Sequence, residues 1–172
     1  MKTTGLIRRI DELGRVVIPK EIRRSLRLKD GEEVEISLGA EELILKKYSR
    51  LSALQQICDN CADSLYKVLG AEVIVTDTYK VISICVERQS AGKNLSHKFT
   101  EFLQRREKGY KVGADCISVF IGQDKTEQQL ILPIVVNGDL YGSLVIMTKE
   151  ISEIHLKSAQ TALLILTGQL EG

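Results

Sequence analysis

Four short apolar segments lie between charged turns in the first fifty residues. Alternating or continuous apolar runs of this length, bounded by Gly, Asp and Glu, are typical of short β-strands. The pattern therefore predicts an N-terminal region made mostly of β-structure. The segments are residues 6–10, 15–18, 34–38 and 43–45.

One short amphipathic helix is predicted between the second and third of these segments. Pro19 stands at the first helical position, where a missing N–H costs nothing. Ile22 and Leu26 form the apolar face of this helix. The opposite face carries three arginines, namely Arg23, Arg24 and Arg27.

This region is too short to bury a core by itself. It has about 47 residues, with no cysteine and no metal-ligand cluster to substitute for a core. We therefore expect an intertwined dimer, in which strands of one chain complete the sheet of the other.

From residue 51 onward the pattern changes to longer elements, and the expected domains are residues 1–50 and 51–172. The predicted order is helix, two strands, helix, three strands and helix, which indicates an α+β fold with one mostly antiparallel sheet flanked by helices. Asn137-Gly138 is a strong hairpin signal. A Ser52–Gln55 capping box is expected at the start of the first helix. The predicted elements span 52–69, 71–76, 81–86, 94–108, 117–121, 130–136, 140–148 and a final helix after Ser152.

The final helix is apolar on more than one face, because residues 163–166 are continuously apolar. Such a helix is expected to pack both on its own sheet and on a second copy of the domain.

Charge is distributed unevenly along the chain, although the net charge of the 172 residues is only +1. Residues 1–29 contain nine basic and three acidic side chains, a net charge of +6, and the remaining residues carry −5. A basic N-terminal region, called the head below, is followed by an acidic remainder. This arrangement suggests a polyanionic partner. No apolar run reaches the roughly 18 residues of a membrane span, and the N-terminus lacks an apolar signal core, so a cytoplasmic location is expected.

The string RRIDELGRVVIPKEIRRSLRL resembles the N-terminal signature of the AbrB-type swapped-hairpin transcription factors. The remainder is similar to a GAF-like domain in its element order and in LPIVVNGDLYGSLVIM, which resembles the last GAF hairpin. The resemblance implies a regulator of gene expression late in sporulation, acting in the forespore. It implies a homodimeric N-terminal domain on double-stranded DNA and a C-terminal domain that oligomerises, giving a tetramer.

By match to the family, four arginines are expected to contact DNA, with four further basic residues in support. Arginine suits this task because its planar fork holds a phosphate or a guanine edge with two hydrogen bonds. An alternative is that Arg23 and Arg27 only pair with Glu21, Asp30 or Glu33 on the surface. The expected contacts are Arg8, Arg15, Arg23 and Arg24, supported by Lys2, Arg9, Lys20 and Lys29.

Other chemistry is weaker in this sequence, and we assign no catalytic residue, metal site or cofactor. Cys58 and Cys61 form a C-x-x-C, but no second ligand pair exists, and small core residues are the preferred interpretation. Two alternative functions are an antitoxin-like binding protein and a GAF-type thiol redox enzyme using Cys85 and Cys116. The GAF-like half either holds an unknown small ligand or is filled by its own side chains. Target genes and the direction of regulation are left open.

Overall fold

The computed structural model describes residues 5–26, 28, 30–31, 33–123 and 127–171. The chain divides into two compact units, Met1–Tyr48 and Ser49–Gly172. Among the described residues, no helix is both long enough and apolar enough to cross a membrane.

The N-terminal unit contains one short helix and one β-hairpin. Helix α1 spans Lys20–Ser25, and strands β1 (Val34–Leu38) and β2 (Leu43–Lys47) pair in antiparallel fashion. Pro19 is the residue before the helix rather than its first residue, with an extended ψ of 148°. The helix therefore begins one position later than predicted.

The two strands predicted at 6–10 and 15–18 are absent as paired strands in the described chain. These segments flank a turn in which the Asp11 N–H donates to the Arg15 carbonyl at 3.1 Å and the Gly14 N–H donates to the Asp11 carbonyl at 2.9 Å. A strand is defined by its ladder of hydrogen bonds to a neighbour, and here the described chain offers these segments none.

The N-terminal unit has almost no interior. Of the residues described between positions 5 and 48, Pro19 alone is buried. Its large apolar side chains face outward, among them Ile7 at 91% and Leu38 at 86% exposure. The apolar residues that predicted strands are therefore not buried within one chain of the N-terminal unit.

The C-terminal unit is a five-stranded antiparallel sheet flanked by helices, which confirms the predicted fold class. The strand order is β4-β3-β7-β6-β5. Two short 3₁₀ turns lie at Arg88–Ser90 and Gly113–Asp115. The elements are α2 (Arg50–Ala53), α3 (Gln55–Leu69), β3 (Glu72–Thr76), β4 (Val81–Ile84), α4 (His97–Gln104), β5 (Gly109–Val112), β6 (Gln128–Val136), β7 (Asp139–Thr148) and α5 (Glu153–Glu171).

Each face of this sheet carries its own hydrophobic cluster. One cluster joins α3 and α5 to the sheet, with Ala62, Leu144 and Leu166 among its buried residues. The other joins α4 and the loop before β6 to the opposite face, with Phe99 and Phe120 fully buried. Alternate residues of β6 and β7 point into the two clusters, as the period of two along a strand requires.

The hairpin between β6 and β7 is confirmed. Asn137 and Gly138 both adopt positive φ, 51° and 84°, as a tight two-residue turn requires. Gly70, at φ 61°, ends α3 as a left-handed C-terminal cap.

The predicted helix at 94–108 is shorter than expected, and the strand predicted at 117–121 is wrong. Ser96 caps α4 by accepting a hydrogen bond from the Phe99 N–H at 3.1 Å. The residues after position 116 form no strand of the sheet, and Val119 lies at this cap, since the Ser96 N–H donates to the Val119 carbonyl at 2.8 Å. The fifth strand of the sheet is instead β5. Its first residue, Gly109, packs closely against Phe102, since a Cβ at this position would lie 2.5 Å from the Phe102 ring.

The start of the first C-terminal helix also differs from the prediction. Ser49, not Ser52, provides the cap, because its hydroxyl accepts from the Ser52 N–H at 3.2 Å. A separate helix begins at Gln55. Ser152 does precede the last helix, and its N–H and hydroxyl both contact Nδ1 of the buried His155.

Candidate nucleic-acid interface

The four arginines expected to contact DNA are all exposed in the N-terminal unit. Arg8 lies in the extended segment before the turn, Arg15 ends that turn, and Arg23 and Arg24 lie on α1. The supporting residues Arg9 and Lys20 are exposed as well, whereas Lys2 and Lys29 lie outside the described residues.

The turn at Asp11 fixes the position of Arg15. One carboxylate oxygen of Asp11 accepts from the Leu13 N–H at 3.0 Å and from the Arg15 N–H at 2.8 Å. The other accepts from Nε of Arg15 at 2.7 Å. These hydrogen bonds, led by the one from the Arg15 backbone, hold the pKa of Asp11 below its usual range. Asp11 is therefore ionised throughout the physiological pH range.

Arg23 forms the surface pair that was considered as an alternative to DNA contact. Its Nη1 lies 3.0 Å from Oδ1 of Asp30. Such an exposed pair is worth about 1 kcal/mol or less, so a phosphate readily competes for the guanidinium. Arg27, the other arginine of that alternative, lies outside the described residues.

Asp11, which contacts Arg15, is a residue that the sequence pattern did not single out. It was counted only as one of three acids in a basic region. The sequence feature that could have indicated this contact is an aspartate four residues before an arginine with a glycine between them, and Gly14 adopts a φ of 75° in this turn.

A shallow groove runs between α3 and α5 on the C-terminal unit. Its volume is about 460 Å³, and its lining is largely apolar. Residues on its rim are exposed, including Val68 at 67% and Ile165 at 55%. The lining includes Ile57, Cys61, Leu65, Val68, Ala162 and Ile165.

The face of the sheet opposite to α3 and α5 is covered by the chain's own side chains. Phe99 and Phe120 are fully buried there. The buried amide of Gln129 holds the loop above them, accepting from the Ile117 N–H at 2.9 Å and donating to its carbonyl at 2.8 Å.

The cysteines lie in environments that disfavour thiolates. Burial raises the pKa of Cys58 to about 12, with a smaller contribution from Cys61 beside it. Burial also raises the pKa of Cys61, Cys85 and Cys116. Among the described residues, no three His, Cys, Asp or Glu side chains come together in a metal-binding arrangement.

Comparison with known proteins gives a match along both units. Residues 53–171 match the family described as stage V sporulation protein T C-terminal, transcription factor. The whole chain resembles stage V sporulation protein T of Bacillus subtilis, with 38% identity over 99% of each chain. The chain belongs to the stage V sporulation protein T family. It is therefore a transcriptional regulator of the sporulation type, as the sequence predicted.

Further matches agree with this family in each unit. Residues 7–52 match the family described as antidote-toxin recognition MazE, bacterial antitoxin. The transition state regulatory protein AbrB of Bacillus subtilis is 40% identical over 44% of this chain and 78% of its own length. The GAF domain of an Acinetobacter phosphoenolpyruvate-protein phosphotransferase superposes with a TM-score of 0.56 at 17% identity, covering 69% of this chain and 82% of that one. This last likeness shows that the C-terminal unit has a GAF fold.

Proposed function

We propose that the chain acts by binding double-stranded DNA through a dimer of its N-terminal units, without catalysis. The observation that carries this proposal is the coincidence, in one short unit, of exposed arginines and exposed apolar side chains. The arginines fit a polyanion and the apolar side chains fit a second copy.

The apolar side chains support pairing of two N-terminal units. Side chains such as Ile7, Val17 and Leu38 are each more than three-quarters exposed. Burying such side chains stabilises by about 1.5–3 kcal/mol each, and a second copy offers an apolar surface of the same kind for them to pack on. A second copy also supplies the neighbouring strands that residues 6–10 and 15–18 need to complete a sheet.

The arginines support DNA as the ligand of that dimer. Pairing doubles the basic charge of the head, and DNA binding then gains from the release of counterions around the phosphates. Arg8, Arg15, Arg23 and Arg24 are the contacts, with Lys2, Arg9, Lys20 and Lys29 in support. Because α1 has only six residues and forms no long recognition helix, DNA shape and deformability contribute much of the selectivity.

The C-terminal units pair through the groove between α3 and α5. Leu164 and Ile165 are 72% and 55% exposed on a helix whose other side, at Leu166, is fully buried. An apolar surface of this kind fits a second copy of itself. If the heads and the C-terminal units pair with different partners, the closed assembly is a tetramer with two DNA-binding heads.

Phe99 and Phe120 occupy the space between the sheet and α4. This packing favours an oligomerisation role for the GAF-fold unit over ligand sensing. The sporulation role of the family supports action in the forespore.

Charge reversal tests the DNA contact. Arg23→Glu with Arg24→Glu should weaken binding to a mixed-sequence duplex by at least about 100-fold, since two charge-assisted contacts per chain are lost. The slope of log affinity against log salt should fall by about four for a dimer. Fluorescence anisotropy at two salt concentrations measures both quantities.

The matched control is Lys98→Glu with Lys108→Glu, which makes the same charge change at exposed positions of the C-terminal unit. This variant should retain DNA affinity, and light scattering should show both variants with the unmodified oligomeric state. Retained affinity in the arginine variant, or loss of its oligomer, contradicts the proposal.

A further inference from the structure

We propose that Asp11 is a positioning residue, which orients the guanidinium of Arg15 for DNA recognition. This inference rests on the proposed DNA binding of the N-terminal unit. Asp11 is an acid in the middle of the most basic part of the chain. One of its carboxylate oxygens accepts from backbone N–H groups, and the other accepts from the side chain of Arg15.

The first oxygen shapes the turn. Oδ1 accepts from the backbone N–H groups of Leu13 and Arg15, at 3.0 and 2.8 Å. A side chain that binds the backbone a few residues ahead closes a turn in this way. The backbone of Arg15 is thereby fixed relative to Asp11.

The second oxygen orients the side chain. Oδ2 accepts from Nε of Arg15 at 2.7 Å, although the Arg15 side chain is 72% exposed. The contact engages the Nε end of the planar guanidinium and directs the Nη1–Nη2 edge away from the carboxylate. That edge is one of the two edges of a guanidinium that can bind a phosphate or a guanine with two parallel hydrogen bonds.

Removal of Asp11 should change the affinity for DNA in opposite directions, depending on whether Asp11 orients Arg15 or acts only through its charge. A negative charge near DNA repels phosphates, so its loss should tighten binding if charge alone matters. If Asp11 orients Arg15, its loss should weaken binding, because a freely rotating arginine loses conformational entropy when it contacts DNA.

The test compares Asp11→Asn with Glu12→Gln. Asn retains an Oδ1 acceptor for the turn but loses the ion pair with Nε. Glu12→Gln makes the same charge change one residue away, at an exposed position of the same turn. Both substitutions are made in the unmodified chain and in an Arg15→Ala background, and affinity for a short duplex is measured by anisotropy at two salt concentrations.

We expect Asp11→Asn to weaken binding by about two- to five-fold, the range of an exposed pair, while Glu12→Gln leaves it equal or slightly tighter. In the Arg15→Ala background, Asp11→Asn should no longer weaken binding, because the residue acts through Arg15. Tighter binding by Asp11→Asn in the unmodified chain, or equal weakening in both backgrounds, overturns the inference.

The Arg15→Ala background distinguishes the DNA contact of Arg15 from the positioning role of Asp11. If this variant binds DNA as tightly as the unmodified chain, then Arg15 is not a DNA contact, and both the contact and the role of Asp11 are overturned. If Arg15→Ala weakens binding but Asp11→Asn does not, the contact stands and only the role of Asp11 fails.

Discussion

Gly142 and Thr76 lie so close across neighbouring strands that a Cβ on Gly142 would be 1.9 Å from the Thr76 carbonyl oxygen. The same Cβ would be 2.8 Å from Cδ1 of Leu51, which is buried in the first helical segment of the unit. Only glycine permits this approach between β3, β7 and the residues that follow the N-terminal unit.

Gly142→Ala should therefore destabilise the C-terminal unit by about 1–3 kcal/mol or more, because backbone must move to admit the methyl group. Urea denaturation measures the change. Gly168→Ala is the matched control, since a Cβ there meets nothing within 4 Å and alanine favours a helix by about 0.5–1 kcal/mol. Equal stability of the two variants would show that β3 and β7 adjust freely at this point.

Ile165→Asp should reduce the proposed tetramer to a dimer. A carboxylate in the middle of an apolar contact loses its hydration without gaining a partner, so the C-terminal units should separate. Light scattering measures the mass of the assembly. The affinity for a duplex too short for two heads should be unchanged. The affinity for a long duplex should fall by about 100-fold or more, because the two heads no longer bind together.

Ile121→Asp is the control for this prediction, because Ile121 is 83% exposed on a loop of the same unit. It should leave the mass and both affinities unchanged. A tetramer that survives Ile165→Asp would place the contact between C-terminal units somewhere other than the groove.

Cys58 should make the fold sensitive to alkali. Its pKa is raised from an ordinary value of 9.0 to about 12, so the buried thiol favours the folded state below pH 9. Between pH 9 and about 12 the unfolded chain releases this proton while the folded chain retains it. Stability should consequently fall by about 1.4 kcal/mol per pH unit from this group alone.

Cys58→Ala should remove that part of the slope, measured as the urea midpoint at pH 8, 9 and 10. Cys116→Ala serves as the comparison, because Cys116 is only partly buried and should change the slope less. Rapid alkylation of Cys58 at neutral pH would contradict the assignment of a buried, protonated thiol and would reopen a thiol-based role.

Sequence patterns predicted the elements whose signals are local. Asn137 and Gly138 define the β6–β7 hairpin because the backbone angles of a tight turn restrict the residues that form it. The apolar residues of the segment predicted as a helix at 94–108 are all buried, namely Leu95, Phe99, Phe102 and Leu103.

The errors lie where a distant contact decides the structure. Residues 117–121 have a strand-like composition, but Ser96 and Val119 bind each other and direct this segment to the start of α4. Residues 15–18 also read as a strand, and a strand exists only where a neighbouring strand is present.

The site shows the same division. The periodicity of a short helix placed Arg23 and Arg24 on an exposed face. They are exposed, but Ile22 and Leu26 of the predicted apolar face are exposed as well, because α1 buries no residue within one chain. The contact between Asp11 and Arg15 depends on the path of a turn, and the net charge of the region gave no indication of it.

The near absence of an interior in the N-terminal unit has a consequence for how the regulator is switched on. With Pro19 as the one buried residue among those described there, acquiring a fold and acquiring a partner become a single event for the proposed dimer. The DNA-binding form should then accumulate as the square of the free chain concentration while the chain is scarce. The concentration of the chain would thus set a threshold for DNA binding by the proposed dimer.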